Sequence, residues 1–234
     1  YSTHNVLPRV NPALLPSPGD IDTLIDSLKR NCSPGADGIT SEHLVYGKSD
    51  ILCHHMATFY SSILKHNIVP QVFTMGVIIP ILKKPSLNPN AANNYRPITL
   101  SSTLAKLMEL MVNPSEDISD TQFGFRQNRG TAFGCALLND LTCYYTANGS
   151  PLFVCALDAQ KCFDSIWHGG LFFKLWDKIP IYFWLFMYNW YCNSRAVVRW
   201  NTEYSFQFDI TRGTRQGSSL SPSFFNIFLD GLLS

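Results

Sequence analysis

The stretch that decides the fold is Leu152-Phe153-Val154-Cys155-Ala156-Leu157-Asp158-Ala159-Gln160-Lys161-Cys162-Phe163-Asp164. Residues 152–157 are all apolar, without polar alternation, and this pattern predicts a short strand that is buried on both faces. Asp158 follows directly, and a carboxylate at the end of a buried strand is costly unless a cation, a metal or a helix N-terminus pairs with it. We therefore expect one acid to be fixed at the edge of the core.

The composition predicts one large domain or two small ones. The 234 residues are 46% hydrophobic and 13% aromatic, which allows a sizeable core and argues against overall disorder. The formal net charge is only +1, so any nucleic-acid-binding surface must be local. The seven cysteines form no CxxC pair, which argues against a disulfide framework or a zinc site and fits an intracellular protein. The longest apolar run, Ile181 to Tyr188, is too short to span a bilayer.

The N-terminal part of the chain has a leader followed by helical patterns. Residues 1–19 contain four prolines and little periodicity, which predicts an extended leader. Asp20 is expected to cap a first helix, and residues 33–38 favour a turn. From Ser41 to Asn67 the pattern is helical again, with an interruption near Gly47.

Three cations follow the first predicted strand, which covers residues 77–82. The strand ends in Lys83 and Lys84, and Pro80 suggests that it lies at the edge of a sheet. An Asn-rich loop then leads to Arg96. Two interpretations stay open: the cations form an ordinary solvated face, or they act as a mobile clamp for triphosphate oxygens.

The remaining elements follow in order. Helices are expected after Ser101 or Ser102, over residues 131–147, around Leu171, Phe172 and Leu175, and from Pro180 to Cys192. Residues 195–200 and 204–211 are expected to pair as a hairpin. Gly217 allows the backbone to approach another group closely, and Ser221 as cap with Pro222 in first position predicts a last helix.

The segment from Asp120 to Thr131 combines aromatic residues, glycines and two arginines. A backbone that approaches a nucleic-acid strand would use cations for phosphate, glycine for clearance and phenylalanine for packing. Taken alone, the segment is only a weak indication of such contact.

Four stretches together resemble the reverse transcriptase of non-LTR (LINE-like, Jockey/CR1-type) retrotransposons. They are IPILKKP with NYRPITLSSTLAKLMEL, DTQFGFRQNRGT, ALDAQKCFDSIWH and TRGTRQGSSLSPSFFNIFLDGLL. The resemblance implies an α+β right-hand polymerase with fingers and a partial palm, an RRM-like antiparallel sheet with helices, and no thumb. Residues 20–150 would be the fingers with N-terminal helices, and residues 151–234 the palm, with a fingers-like hairpin at about 195–212.

The resemblance implies a catalytic and metal-binding role for Asp158, with the carbonyl of Ala159 as a further metal ligand. Two Mg²⁺ ions, or Mn²⁺, would be held there and would activate the primer 3′ hydroxyl. Phe163 matches the steric gate that leaves no room for a ribose 2′ hydroxyl. Asp164 is expected to orient the turn by accepting backbone hydrogen bonds rather than to bind metal, and His168 to act as a cap or a packing residue.

The resemblance also implies two sets of binding residues. Those expected at the deoxynucleoside triphosphate are Lys83, Lys84, Arg96, Ala159, Phe163, Gln216 and Gly217. Those expected at the template and primer are Phe125, Arg126, Arg129, Ser221 and Pro222. The implied partners are an RNA template, a DNA primer, dNTPs, and the endonuclease and C-terminal parts of the same polyprotein, in the nucleus or cytoplasm and without membrane contact.

Two departures from the family pattern limit the expected activity. The aromatic-Ala-Asp-Asp turn of the family would follow the helix that contains Phe224, and the sequence ends first, so we expect that the chain alone does not polymerise. The link over residues 110–120 is also shorter than in relatives. Two further hypotheses therefore stay open: a degenerate copy that binds RNA or primer–template without chemistry, and a plain α+β domain with no nucleic-acid role.

Overall fold

The computed structural model describes residues 10–232, apart from 113, 115–117, 127, 160, 215 and 216. Its helices are α1 Pro18–Ser27, α2 Ser41–Tyr46, α3 Asp50–His66, α4 Gln71–Thr74, α5 Thr103–Met111, α6 Thr131–Ala147, α7 Cys162–Ser165, α8 His168–Leu175, α9 Ile181–Cys192 and α10 Ser221–Leu229. Its strands are β1 Met75–Leu82, β2 Tyr95–Leu100, β3 Arg195–Trp200, β4 Glu203–Tyr204 and β5 Phe208–Asp209. The mixture of helices with one sheet confirms the α+β class.

The first helix begins earlier than the sequence suggested. Ser17, not Asp20, is the N-cap of α1, and Asp20 completes a capping box by accepting the Ser17 backbone N–H at 2.8 Å. The capping box places Pro18 in the first turn, where a missing N–H costs nothing. The predicted leader therefore overlaps α1, and within it Pro12–Leu14 form a short 3-10 helix.

The interruption predicted near Gly47 is confirmed. Gly47 is the C-cap of α2, and Ser49 caps α3 by accepting the backbone N–H of Leu52. Asn67 ends α3 in the left-handed conformation, with φ of 49°. Short polar caps thus divide one apolar pattern into two helices that pack on α1.

The sheet is mixed, and the expectation of an antiparallel sheet is wrong for one of its pairs. Its order is β2-β1-β3-β4, and β5 also pairs with β3. β1 is antiparallel to β2 but parallel to β3, with Met75 opposite Arg195 and Ile78 opposite Val198. A parallel pair needs a long crossover, and residues 83–194, which contain several helices, provide it.

β1 lies between β2 and β3 in the sheet, but Pro80 itself has a paired strand only on the β2 side. The pairing of β1 with β3 ends at Ile78, so no backbone N–H is needed at position 80 to bond to β3. On the other side Pro80 lies opposite Pro97. The backbone N–H of Lys83 donates to the Asn94 carbonyl at 2.8 Å, so Lys83 and Asn94 are a hydrogen-bonded pair. Hydrogen-bonded and non-hydrogen-bonded pairs alternate along an antiparallel ladder, and three positions further along Pro80 and Pro97 are a non-hydrogen-bonded pair. A central strand therefore tolerates proline at this position.

Residues 152–157 are not the buried strand that their composition predicted. They have no regular structure, and Phe153 and Leu157 are 91% and 94% exposed. No strand in the described part of the chain lies beside them, and a strand needs a hydrogen-bonded neighbour for its backbone groups as well as apolar side chains. The preceding helix, α6, has the predicted bounds but no buried residue.

The core lies between the N-terminal helices and the aromatic helix α9. Trp190 is fully buried in α9 and its indole N–H donates to the carbonyl of Phe73 at 2.8 Å. Leu171, Phe172 and Leu175 lie on one helix, α8, as predicted, and all three are buried. None of the helices that the structure describes is both long and apolar enough to cross a bilayer.

The C-terminal elements match their predictions in part. β3 turns through Asn201, at φ of 56°, into β4, and the hairpin continues to β5 after a break. α10 is capped by Leu220, so Ser221 is its first residue and not its cap. Pro222 still lies in the first turn, where the missing N–H has no intrahelical partner to lose.

Candidate nucleotide-binding cleft

A cleft of about 1370 Å³ opens beside the sheet. It is formed by the loop between β1 and β2, the end of β3, the start of α7 and the residues that precede α10. Of the residues singled out from the sequence, it brings together Lys83, Arg96, Phe125, Phe163, Gly217, Ser221 and Pro222. These residues come from distant parts of the chain.

The cationic side of the cleft belongs to β1 and β2. Lys83 follows β1, and its Nζ donates to the Asn93 carbonyl at 2.7 Å, across the loop. Arg96 lies on β2 opposite Ile81 and is exposed. Lys84 is not among the described residues that line the cleft. The structure therefore assigns Lys83 to the cleft and not Lys84, a choice that the sequence left open.

Phenylalanines from other parts of the chain also line the cleft. The ring of Phe163 stacks on Phe225 with centroids 4.5 Å apart, and the ring of Phe125 meets Phe163 edge-on at 5.6 Å. Phe163 lies on α7, which begins after Lys161 in the left-handed conformation. Asn226 holds Phe125 in place indirectly, since its Nδ2 donates to the Gly124 carbonyl at 2.9 Å.

The turn before α10 is fixed against α7. The backbone N–H of Thr214 donates to the Phe163 carbonyl at 2.8 Å, and that of Gly213 to the Ile166 carbonyl at 2.8 Å. Gly213 has φ of +86°, and a Cβ there would lie 2.8 Å from the Asp164 carbonyl oxygen. The backbone of Asp164 thus lies against the turn, and Asp164 is one of the residues that line the cleft.

His168 stabilises the same junction. Its Nε2 lies 2.8 Å from the Gly213 carbonyl, and because a carbonyl can only accept, Nε2 must carry a proton. The ring meets Tyr191 edge-on at 5.0 Å, which confirms the packing alternative. Burial lowers the pKa of His168, and the hydrogen bond to Gly213 opposes this shift.

Gly217 makes the close approach that its position suggested. Its φ is +113°, and an added Cβ would lie 2.9 Å from the Thr99 carbonyl of β2. Only glycine fits this turn without displacing the strand. Ser221 and Pro222 line the cleft beside it, and Gln216 lies outside the described residues.

Asp158 and Ala159 are not brought to the cleft. Both are exposed in the irregular segment after Leu157, and neither is among the described residues that line the cleft. The described residues contain no cluster of three or more His, Cys, Asp or Glu side chains that could hold a metal ion. In this arrangement the side chains therefore do not fit the two-ion site that the resemblance implied.

The two arginines of the 120–131 segment are held by that segment itself. Arg126 Nη1 donates to the Ser119 carbonyl at 2.9 Å, and Arg129 Nη2 lies 2.8 Å from Asp120 Oδ1. Neither arginine is among the described residues that line the cleft. Among the residues of this segment that the structure describes, only Phe125 reaches the cleft.

Sequence reasoning did not identify several residues that line the cleft. They are chiefly Lys161, Asn90, Asn93, Tyr95 and Trp200. Tyr95 immediately precedes Arg96, and Trp200 immediately follows Arg199 at the end of a predicted strand. An aromatic residue next to a cation at a strand end could therefore have indicated these two residues.

Comparison with protein families gives a match over residues 81–234, to the family described as "Reverse transcriptase (RNA-dependent DNA polymerase)". A "Probable RNA-directed DNA polymerase from transposon BS" of Drosophila melanogaster is 29% identical over 89% of this chain and 24% of its own length. An "RNA-directed DNA polymerase from mobile element jockey" of Drosophila funebris is also 29% identical, over 89% and 24%. A "Putative 115 kDa protein in type-1 retrotransposable element R1DM" of Drosophila melanogaster is 25% identical over 92% and 21%. The chain spans about a quarter of the length of these relatives.

Proposed function

This chain belongs to the reverse transcriptase family of RNA-dependent DNA polymerases, and we propose that it binds an incoming deoxynucleoside triphosphate against a template in a non-LTR retrotransposon polymerase. Residues 20–150 would be the fingers and residues 151–234 the palm. The partners proposed are an RNA template, a DNA primer, dNTPs and other parts of the same polyprotein, in the nucleus or cytoplasm.

One observation carries this proposal: a single cleft holds Lys83, Arg96 and Phe163. Ammonium and guanidinium groups are the natural partners of triphosphate oxygens, and Arg96 can bind two of them at once. An aromatic ring that lines the same cleft is suited to contact the sugar. Because Phe163 is backed by Phe225 at 4.5 Å, the ring is held in place and can exclude a 2′ hydroxyl.

The proposed reaction is nucleotidyl transfer. The oxygen of the primer 3′ hydroxyl forms a bond to the α-phosphorus and gives its proton to solvent, while the bond from that phosphorus to the bridging oxygen breaks, so that pyrophosphate leaves. Lys83 and Arg96 would neutralise charge on the leaving phosphates and hold them in line for attack. We assign no step to magnesium, because Asp158 and Ala159 lie outside the cleft.

A second candidate function is binding of RNA or primer–template without chemistry. The exposed position of Asp158 favours it, since the one carboxylate that the resemblance assigns to catalysis is not beside the proposed phosphate site. In this case the cationic and aromatic sides of the cleft would still bind nucleic acid, but no transfer would follow.

The proposal is tested by measuring nucleotide binding to variants of the cationic residues Lys83, Lys84 and Arg96. A fluorescent dNTP titrated into the 234-residue chain should bind roughly ten- to hundredfold more weakly to Lys83→Ala and to Arg96→Ala, since a hydrogen bond to a charged group contributes about 1.5–3 kcal/mol. Lys84→Ala is the control and should bind as the wild type does. Equal losses in Lys83→Ala and Lys84→Ala, or no nucleotide binding by the wild type, would contradict the proposal.

Primer extension distinguishes the two candidate functions. Because the 234 residues alone are expected not to extend a primer, the polyprotein that contains them is incubated with a primed RNA template, dNTPs and Mg²⁺, and binding of the same template is measured in parallel. Extended primer supports the polymerase, whereas template binding without any extended product supports the second candidate.

A further inference from the structure

A second aromatic surface lies in the cleft, made of Tyr95 and Trp200. Their ring centroids are 5.3 Å apart, and the rings meet at 66°. Both residues line the cleft, and Trp200 is 50% exposed. This pair is distinct from the ring cluster of Phe125, Phe163 and Phe225, because no ring contact joins the two groups among the described residues.

Strand pairing and one side-chain hydrogen bond fix the positions of Tyr95 and Trp200. Tyr95 is the first residue of β2, and its hydroxyl donates to the Pro89 carbonyl at 2.9 Å, so that the ring is tied to the β1–β2 loop. Trp200 is the last residue of β3 and lies opposite Glu203 in the β3–β4 hairpin. The flanking strands thus bring the two rings together near the end of β1. The Tyr95 ring packs against the indole of Trp200 and limits its movement.

The surroundings of Trp200 favour a nucleic-acid base as its occupant. Lys83, Arg96 and Lys161 line the same cleft, and cations beside an exposed aromatic ring are the combination that binds single strands, phosphate on the cations and base on the ring. The cleft, at about 1370 Å³, is also larger than the upper limit of about 1,000 Å³ for a site that holds one small ligand. It therefore has room for a second nucleotide beside the incoming one.

We propose that Trp200, supported by Tyr95, stacks on a base of the single-stranded RNA template. This inference rests on the proposed function, since it places the template in the cleft where Lys83 and Arg96 hold the incoming nucleotide. Stacking on an indole is tolerant of sequence because every base has an aromatic face, so Trp200 would hold the template without selecting among bases.

Paired oligonucleotides test the inference on the 234-residue chain. Affinity is measured for a single-stranded RNA and for an abasic strand of equal length, which keeps the phosphates but lacks the bases. Trp200→Ala should lose roughly tenfold in affinity for the RNA and little for the abasic strand, because only the stacking contact is removed. Trp200→Phe should recover most of the loss. Trp176→Ala is the control, since Trp176 is 58% exposed but does not line the cleft among the described residues.

Each result decides between the inference and its alternatives. Equal losses for the RNA and the abasic strand would indicate a structural role for Trp200 and overturn the inference. Weaker dNTP binding with unchanged RNA binding would assign the ring to the incoming base instead, and would also overturn it. RNA binding that falls steeply with salt but is the same in Trp200→Ala would overturn the inference alone, whereas no RNA binding by the wild type would overturn the proposed function as well.

Discussion

The Oε2 oxygen of Glu109 accepts a hydrogen bond from the backbone N–H of Ser219 at 3.0 Å, although the two residues are 110 positions apart. Glu109 lies on α5 and is only 3% exposed. A buried carboxylate is stable only when its oxygens are bonded, so this contact fixes the distance between α5 and the turn that carries Gly217. Glu109 is thus a positioning residue for one end of the cleft.

Replacing Glu109 by Leu should loosen this turn. The Ser219 N–H would lose its acceptor, and because Ser219 itself is exposed to water the loss should be that of one net hydrogen bond, about 1 kcal/mol. We expect urea unfolding to show a loss of that size and dNTP affinity to fall as well. Glu109→Gln keeps an oxygen acceptor and should recover most of both quantities; if it is as damaging as Leu, the charge and not the hydrogen bond is what matters.

Phe163→Ala should reduce discrimination between deoxyribonucleotides and ribonucleotides. Removal of the ring opens space beside the sugar, so the affinity ratio of dATP to ATP, measured by competition against a fluorescent dNTP, should move towards one. Phe173→Ala is the control, because Phe173 is exposed and does not line the cleft among the described residues. A ratio that is unchanged in Phe163→Ala would contradict the role of steric gate.

The stability of the chain should fall as pH decreases through 6.5, the ordinary pKa of histidine. Burial lowers the pKa of His168 in the folded chain, so the unfolded chain takes up the proton first and the free energy of unfolding decreases. The decrease should end once the pH is below the lowered pKa. Urea unfolding between pH 7.5 and pH 5 checks this, and His168→Gln should make the dependence shallower; the same slope in the variant would assign it to another group.

Tyr60→Phe should destabilise the chain by about 1 kcal/mol, the usual contribution of one hydrogen bond. The Tyr60 ring is fully buried, and its hydroxyl donates to the Leu104 carbonyl at 2.9 Å, joining α3 to α5. Burial also raises the pKa of this phenol, so the hydroxyl keeps its proton. Tyr46→Phe is the control, because Tyr46 is exposed; an equal loss in both variants would exclude the buried hydrogen bond as the cause.

Local signals in the sequence were sufficient for most helices and for the cationic side of the cleft. The bounds of α6 and the cap of α5 at Ser102 follow from periodicity and from the capping residue. Lys83 and Arg96 follow from their places beside two strands. These features depend on neighbours a few residues away, which a single sequence contains.

Pairing between distant strands could not be predicted in the same way. The composition of residues 152–157 is that of a strand, but whether a partner lies beside them depends on the whole topology. The parallel contact of β1 with β3 likewise depends on the path of the long crossover. For the same reason the sequence did not place Trp200 beside Tyr95.

Hydrogen exchange tests the least expected feature, the exposed segment over residues 152–158. Its backbone amides lie outside the helices and strands, so we expect them to exchange within seconds to minutes, whereas those of β1, the central strand, should be protected far longer. Residues 132–146 of α6 provide an internal control, because they are exposed in their side chains yet bonded along the helix and should show intermediate protection. Protection of residues 152–158 equal to that of β1 would mean that the segment pairs with a strand after all and that Asp158 is held at a sheet edge.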